Sequence, residues 1–199
     1  MRGGRSRADF DGVEEARGII SLRLCDARAC RRIVECSKAA RGWEPAHVEG
    51  SEEEGGSVVR REYRSAESFF PSERWAPKRE FDRKIKGVVR PLVRRAWLAD
   101  LKAVRDTHVV RYSPGGFYVP HIDTVPGEEY RYFTVLCYLN EDFEGGWTSF
   151  PLLNFSVRPR TGKAILFPST YLHCAEPVGS GEKYVIVTWL TGPPPIRWL

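Results

Sequence analysis

No run in this 199-residue chain is apolar over the length a membrane span needs. No apolar h-region follows the basic start, Met1 to Arg7, so the segment does not read as a secretory signal. Asp9, Asp11, Glu14 and Glu15 argue against a transit peptide. No pair among Cys25, Cys30, Cys36, Cys137 and Cys174 has C-x-x-C spacing, and their number is odd. That removes the usual zinc-site reading and leaves free thiols in a reducing cytoplasm as the expectation. No internal repeat appears. Nor is there a basic cluster with interleaved aromatics: the net charge is +5, but the cations are spread along the chain among acids. A solvated surface is the reading, not a nucleic-acid groove, and the mild positive balance suits an anionic ligand.

What is present fits one domain with a substantial core, at 42% hydrophobic residues. Residues 1–18 read as a mobile N-terminal tail and 19–199 as a single domain. Ile19 to Leu24 reads as a first strand. Asp26 is placed to cap a helix running to about Ala40, with Ala29, Cys30, Ile33, Val34 and Ser37 on one stripe. Glu49 to Ser57 is an acidic, Gly-rich loop, expected to be mobile and able to act as a lid. Val58 to Arg64 alternates weakly, as an edge strand would. Lys78 to Leu101 carries helical spacing, and Pro91 inside it predicts a kink or a second helix start.

From Thr107 onward the pattern changes to short β-rich runs divided by Gly, Pro and Asn turns. These are Val109–Tyr112, Arg131–Leu139, Trp147–Phe150, Asn154–Val157, Ala164–Phe167, Tyr171–Glu176 and Tyr184–Leu190. Many short strands imply a sandwich or barrel. The fold class expected is α+β, mainly β: a double-stranded β-helix (jelly roll, cupin-like) buttressed by N-terminal helices.

Within that region stands His121-Ile122-Asp123, with His173 fifty residues after the aspartate and Lys183 ten after that. Side chains at i and i+2 of a strand point the same way, so His121 and Asp123 can grip one ion. His173 must then come from a strand folded back onto the first. Two imidazoles and a carboxylate on one face of a divalent metal leave the opposite face open, the set used by non-haem Fe(II) oxygenases. Cys174, next to His173, should point away from such an ion.

The strings around the triplet are more specific than the triplet. Arg111-Tyr112-Ser113-Pro114-Gly115-Gly116-Phe117-Tyr118-Val119-Pro120 precedes it. Gly145-Gly146-Trp147-Thr148-Ser149-Phe150-Pro151 follows, then Pro159-Arg160-Thr161-Gly162-Lys163-Ala164-Ile165-Leu166-Phe167, and then His173, Pro177-Val178 and Gly181-Glu182-Lys183. As a set they resemble the prolyl 4-hydroxylase-like family of Fe(II)/2-oxoglutarate dioxygenases. The likeness is dense from Val109 to Leu190 and looser upstream, at Asp26–Ala40 and Trp43–Phe70; the metal-binding core would be about 107–192.

The resemblance implies Fe(II), 2-oxoglutarate and O2 as cofactor and cosubstrates, with ascorbate as an optional reductant. It makes His121, Asp123 and His173 the catalytic metal ligands. It sets Lys183 against the far carboxylate of 2-oxoglutarate, where a dry pocket needs a cation. Tyr138 and Thr188 would hydrogen-bond the same carboxylate, and Tyr112 would line the pocket; each is also readable as a packed strand residue. The presence of Asp123 favours hydroxylation over halogenation, since halogenating relatives replace that carboxylate. Desaturation and ring closure stay open.

For the substrate, Phe117, Tyr118 and Trp147 are wall candidates, and Arg60, Arg64 and Arg131 can hold a carboxylate bidentately or simply be solvated. The expected activity is hydroxylation of an unactivated C–H of a small metabolite, an amino acid or a prolyl residue, releasing succinate and CO2. Two rivals stand beside it: an oxygen-sensing hydroxylase that marks a partner protein, and a non-catalytic metal-binding jelly-roll module. The second rival has no need for the anchor Lys183. No membrane or nucleic-acid partner is expected.

Overall fold

The computed structural model describes residues 12–49, 56–101, 103–124 and 130–192. In chain order it holds β1 (Val13–Ala16), β2 (Ile19–Arg23), α1 (Ala27–Lys38), β3 (Trp43–Pro45), β4 (Val48–Glu49), β5 (Ser57–Val58), β6 (Arg64–Ser65) and β7 (Glu67–Phe69). Then come α2 (Ala76–Lys84), a π turn (Ile85–Val89), α3 (Arg90–Trp97), β8 (Ala103–Tyr112), β9 (Phe117–His121) and β10 (Tyr130–Tyr138). The remainder is β11 (Glu144–Gly145), β12 (Thr148–Phe150), β13 (Phe155–Val157), β14 (Lys163–Pro168), β15 (His173–Ala175), β16 (Val178–Ser180) and β17 (Lys183–Gly192).

Two antiparallel sheets face each other. The larger has the order β1-β2-β14-β10-β17-β8-β7-β3, the smaller β13-β12-β15-β9-β6. Helices cover the outer face of the larger sheet. A strand buried on both faces must be largely apolar, and β17 is, with nine of its ten residues buried and Lys183, Thr188 and Thr191 the polar ones among them. Its alternate residues serve different cores. Tyr184, Ile186 and Leu190 pack with Phe81, Ile85, Leu92 and Val93 of the helices. Val185, Val187 and Trp189 pack with Phe150, Val157 and Phe167 between the sheets.

Local chemistry explains the helix ends. Asp26 Oδ1 accepts from Ala29 N–H at 2.7 Å, a cap contributing about 1 kcal/mol. Pro91 has no N–H and its ring crowds the turn before it. The helix absorbs this by widening, with Arg90 N–H bonding Ile85 O five residues back, so the expected kink is a π turn just before the proline.

Three expectations need correction. The tail is shorter than predicted: Val13–Ala16 pair with β2 as an exposed edge strand, their charges having hidden the strand pattern. The edge strand expected over 58–64 is interrupted: β5 pairs only with β4, a turn follows, and β6 joins the small sheet opposite Phe117 and Tyr118. The strand expected over 171–176 is confined to His173–Ala175. Most of the proposed lid, residues 50–55, lies outside the described residues, as does 1–11 of the tail. No helix among the described residues is long and apolar enough to cross a membrane.

Candidate active site

The mouth between the two sheets opens on a cavity of about 550 Å³, within the range of small-molecule sites. His121 ends β9 and His173 begins β15, and the two are directly opposite in the antiparallel register. Asp123 lies two residues past β9, where its N–H bonds Ser169 O at 2.9 Å. One ligand atom from each of the three lies within 4.8 Å of the others. Asp123 Oδ1 is 3.5 Å from His121 Nε2 and Oδ2 is 3.5 Å from His173 Nε2. Ligands about 2.1 Å from one ion sit roughly 3 Å apart when adjacent, so small shifts suffice to close the set.

The neighbours pre-set each donor. His121 Nδ1 bonds Val119 O at 2.8 Å, and His173 Nδ1 bonds Tyr171 O at 3.0 Å. A carbonyl only accepts, so both rings carry their proton on Nδ1 and leave Nε2 bare for a metal. Burial pushes the His173 imidazole down to about 4, keeping it neutral. Burial alone would raise the Asp123 carboxyl. The two imidazoles, whenever they carry a proton on Nε2, and the Thr134 hydroxyl, which donates to Oδ2 at 2.7 Å, outweigh it and hold the group well below the usual carboxylate range. Two imidazole nitrogens with a carboxylate fit a divalent ion of the Fe(II) type. Cys174 touches the cavity without joining this cluster.

Lys183 enters the cavity from the first position of β17, opposite Tyr112 of β8. It is 1% exposed, and its ammonium donates to Gly146 O at 2.7 Å. No described carboxylate lies within salt-bridge distance. Burial pushes the amine down to about 7, against the distant pull of Glu176 and Cys174. Gly146 has φ +61°, and a Cβ there would approach Lys183 Cδ to 3.1 Å; glycine lets the backbone meet the amine. Tyr112 places its ring 4.9 Å from Nζ, as expected of a lining residue.

The other sequence candidates divide. Tyr138 does not reach the cavity wall; its hydroxyl donates to Thr148 at 2.8 Å, and Thr148 lines the cavity beside Lys183. Thr188 is misplaced. It lies an odd five residues from Lys183 and so faces the helices, bonding Arg105 O at 2.9 Å and Thr107 at 2.8 Å. Trp147 is half-exposed and, like Phe117, is not on the wall. Tyr118, Arg64 and Arg131 are on it. Arg60 is also off the wall.

Sequence reasoning passed over Thr134, Thr148, His108 and Trp189. Thr148 was legible in the Gly-Gly-x-Thr string, and Trp189 at an even offset from Lys183. His108 was legible too, at an even offset from Tyr112 along β8; the bulge at Asp106, φ +53°, comes before it in the strand.

Residues 107–191 match the profile of the 2OG-Fe(II) oxygenase superfamily. A putative prolyl 4-hydroxylase of Acanthamoeba polyphaga mimivirus is 36% identical over 106 residues, covering 42% of this chain and 43% of that protein. A PKHD-type hydroxylase of Synechococcus sp. (strain CC9902) is 34% identical over 95 residues, covering 45% and 43%. Among solved structures, a Pseudomonas putida prolyl-4-hydroxylase superposes with TM-score 0.72 at 20% identity over 89% of this chain and 94% of that one. The viral collagen prolyl hydroxylase of Paramecium Bursaria Chlorella virus-1, solved as a 2OG complex, gives 0.65 at 22% over 91% and 99%. Over residues 107–191, less than half of its length, the chain matches the 2OG-Fe(II) oxygenase superfamily, and in that region it is prolyl 4-hydroxylase-like. It spans less than half the length of the curated relatives it matches. The structural likeness, at these identities, concerns the double-stranded β-helix fold alone.

Proposed function

We propose that the protein is an Fe(II)- and 2-oxoglutarate-dependent hydroxylase acting on an unactivated C–H bond of a small metabolite, an amino acid or a prolyl residue. The observation that carries this is Lys183: a buried amine without a carboxylate partner among the described residues, in the same cavity as a three-residue metal-ligand set. When bound, Fe(II) would activate O2, the oxidant, with 2-oxoglutarate supplying two electrons and the substrate C–H two, so that one oxygen atom leaves in succinate, the other in the product, and CO2 is released.

The chain's own residues do the rest. His121, Asp123 and His173 would hold the ion by one face and leave the other to ligands. Lys183 would receive the distal carboxylate of 2-oxoglutarate, regaining its full charge on pairing. Thr148, oriented by Tyr138, would add a hydroxyl to that carboxylate. Tyr112 and the apolar side chains of Val110, Leu136 and Val187 would keep water from the cosubstrate. Five cysteines without a disulfide support a reducing, cytoplasmic setting.

A second reading, a hydroxylase that marks a partner protein, draws on one structural neighbour: a prolyl hydroxylase from Trichoplax adhaerens in complex with a hypoxia inducible factor peptide fragment. A module that only binds metal would have no use for Lys183. The test is anaerobic addition of Fe(II) and 2-oxoglutarate, following the weak visible band of the chelate, then admission of O2 and measurement of succinate. A band with slow succinate release is expected. Neither, with metal bound, would overturn the proposal.

A further inference from the structure

Beyond the cosubstrate end, the cavity has an outer half whose polar groups are unevenly satisfied. Arg64 of β6 lies over the Tyr118 ring at 4.6 Å, and that ring stacks on His121 at 3.5 Å. One ring, that of Tyr118, therefore separates the guanidinium from a metal ligand. One of its amino groups donates to His47 O at 2.9 Å, and it approaches the Tyr112 hydroxyl. Its Nε is buried and bonds nothing among the described residues.

Trp189 makes the same demand: it is 8% exposed, lines this wall, and its indole N–H has no acceptor. The carboxylates nearby are taken. Asp106 holds Arg131 at 2.9 Å, Asp123 belongs to the imidazoles, and Glu44 is exposed at the rim. Arg131 stacks over Trp189 at 3.9 Å, adding positive potential to the same wall. His108 lies between Phe70 and Trp189 and is kept neutral, first by burial and then by the two guanidiniums.

Arg64 is a half-buried cation on the cavity wall with no counter-ion among the described residues, and an anionic ligand would complete it. We infer that the outer half of the cavity is a subsite for a carboxylate on the substrate, received by the Arg64 guanidinium with Arg131 beside it and the Trp189 ring as its wall. The inference rests on the hydroxylase reading and narrows it to acids. A neutral amide in the same place would leave the Arg64 charge uncompensated. The aromatic wall of Tyr118, His108 and Trp189 would hold the flat or apolar body of such an acid against the metal side.

The test is anaerobic calorimetric titration of protein loaded with Fe(II) and saturating 2-oxoglutarate. Benzoate and acetyl-Ala-Pro with a free carboxylate are the probes, and benzamide and the acetyl-Ala-Pro amide are their neutral controls. Each acid should bind at least about tenfold more tightly than its amide. Arg64→Met should erase that preference, Arg64→Lys should restore part of it, and Trp189→Phe should weaken both acids. Comparing benzoate with the dipeptide acid separates a free acid from a peptide terminus as the source of the carboxylate. Equal binding of acids and amides, no binding of either acid, or a preference that survives Arg64→Met would overturn the subsite. Titration of 2-oxoglutarate into each variant shows that it is folded. Failure of 2-oxoglutarate to bind the parent protein would count against the hydroxylase reading, independently of the subsite.

Discussion

Replacing Lys183 by methionine tests the cosubstrate anchor in two ways at once. The side chain is 1% exposed, so the distal carboxylate of 2-oxoglutarate would lose its cation in a place water does not reach. Stripping one partner from a buried charged pair costs about 2–5 kcal/mol. The Thr148 hydroxyl remains, which favours the lower end, roughly a thirtyfold loss of affinity by anaerobic calorimetry. Stability without ligand should move the other way. The amine has its pKa pushed from 10.5 to about 7 on folding, because charging it in the cavity is unfavourable. Between those values the unfolded chain binds more protons than the native one, so ligand-free wild type gains stability from this group as pH rises from about 7 towards 10.5. Below pH 7 the buried cation is fully present and its cost is greatest. Methionine removes that cost, so the ligand-free variant should be about 1–3 kcal/mol more stable at pH 6. The advantage should shrink as pH is raised, at up to about 1.4 kcal/mol per pH unit. Denaturant melts of both proteins at pH 6 and pH 9 measure this. Unchanged 2-oxoglutarate affinity, or a stability difference flat with pH, would refute the reasoning.

Three further outcomes are expected. Thr134→Val takes the hydroxyl from Asp123 Oδ2 and should weaken Mn(II) or Fe(II) binding by about tenfold, read by competition with a chelator, without unfolding the protein. Thr188→Val should leave 2-oxoglutarate affinity untouched while costing about 1 kcal/mol of stability, since its hydrogen bonds join strand to strand; a large loss of affinity would return it to the site. Asp26→Ala should cost about 1 kcal/mol in a denaturant melt through loss of the α1 cap.

The metal set was legible because its spacing is a strand rule applied twice. An i, i+2 pair ends one strand, and a distal histidine must return to it; the register His173 opposite His121 is that return. Lys183 was legible through resemblance. Thr188 misled because the same rule was not applied to it, although its odd offset from Lys183 turns it to the helices. Trp147 misled for a different reason: it lies in the turn before β12, where strand parity does not hold. His108 was readable from its even offset to Tyr112 along β8. Arg64 could not be read from spacing: it depends on the pairing of a two-residue strand with β9, a tertiary fact. The first strand was hidden because an exposed edge needs no alternation when its partner supplies the core.

The two faces of β17 have a genetic consequence. Its residues are nearly all buried, so an exposure-based forecast would rank substitutions along it as equally harmful. The strand's parity says otherwise. Changes at Tyr184, Ile186 and Leu190 loosen the seam with the helices and should appear as low yield or poor folding. Changes at Lys183 and Trp189 meet the cavity and should leave soluble protein that does not turn over. A saturation library of this single strand, scored separately for abundance and for activity, should therefore show two phenotypes alternating with a period of two residues.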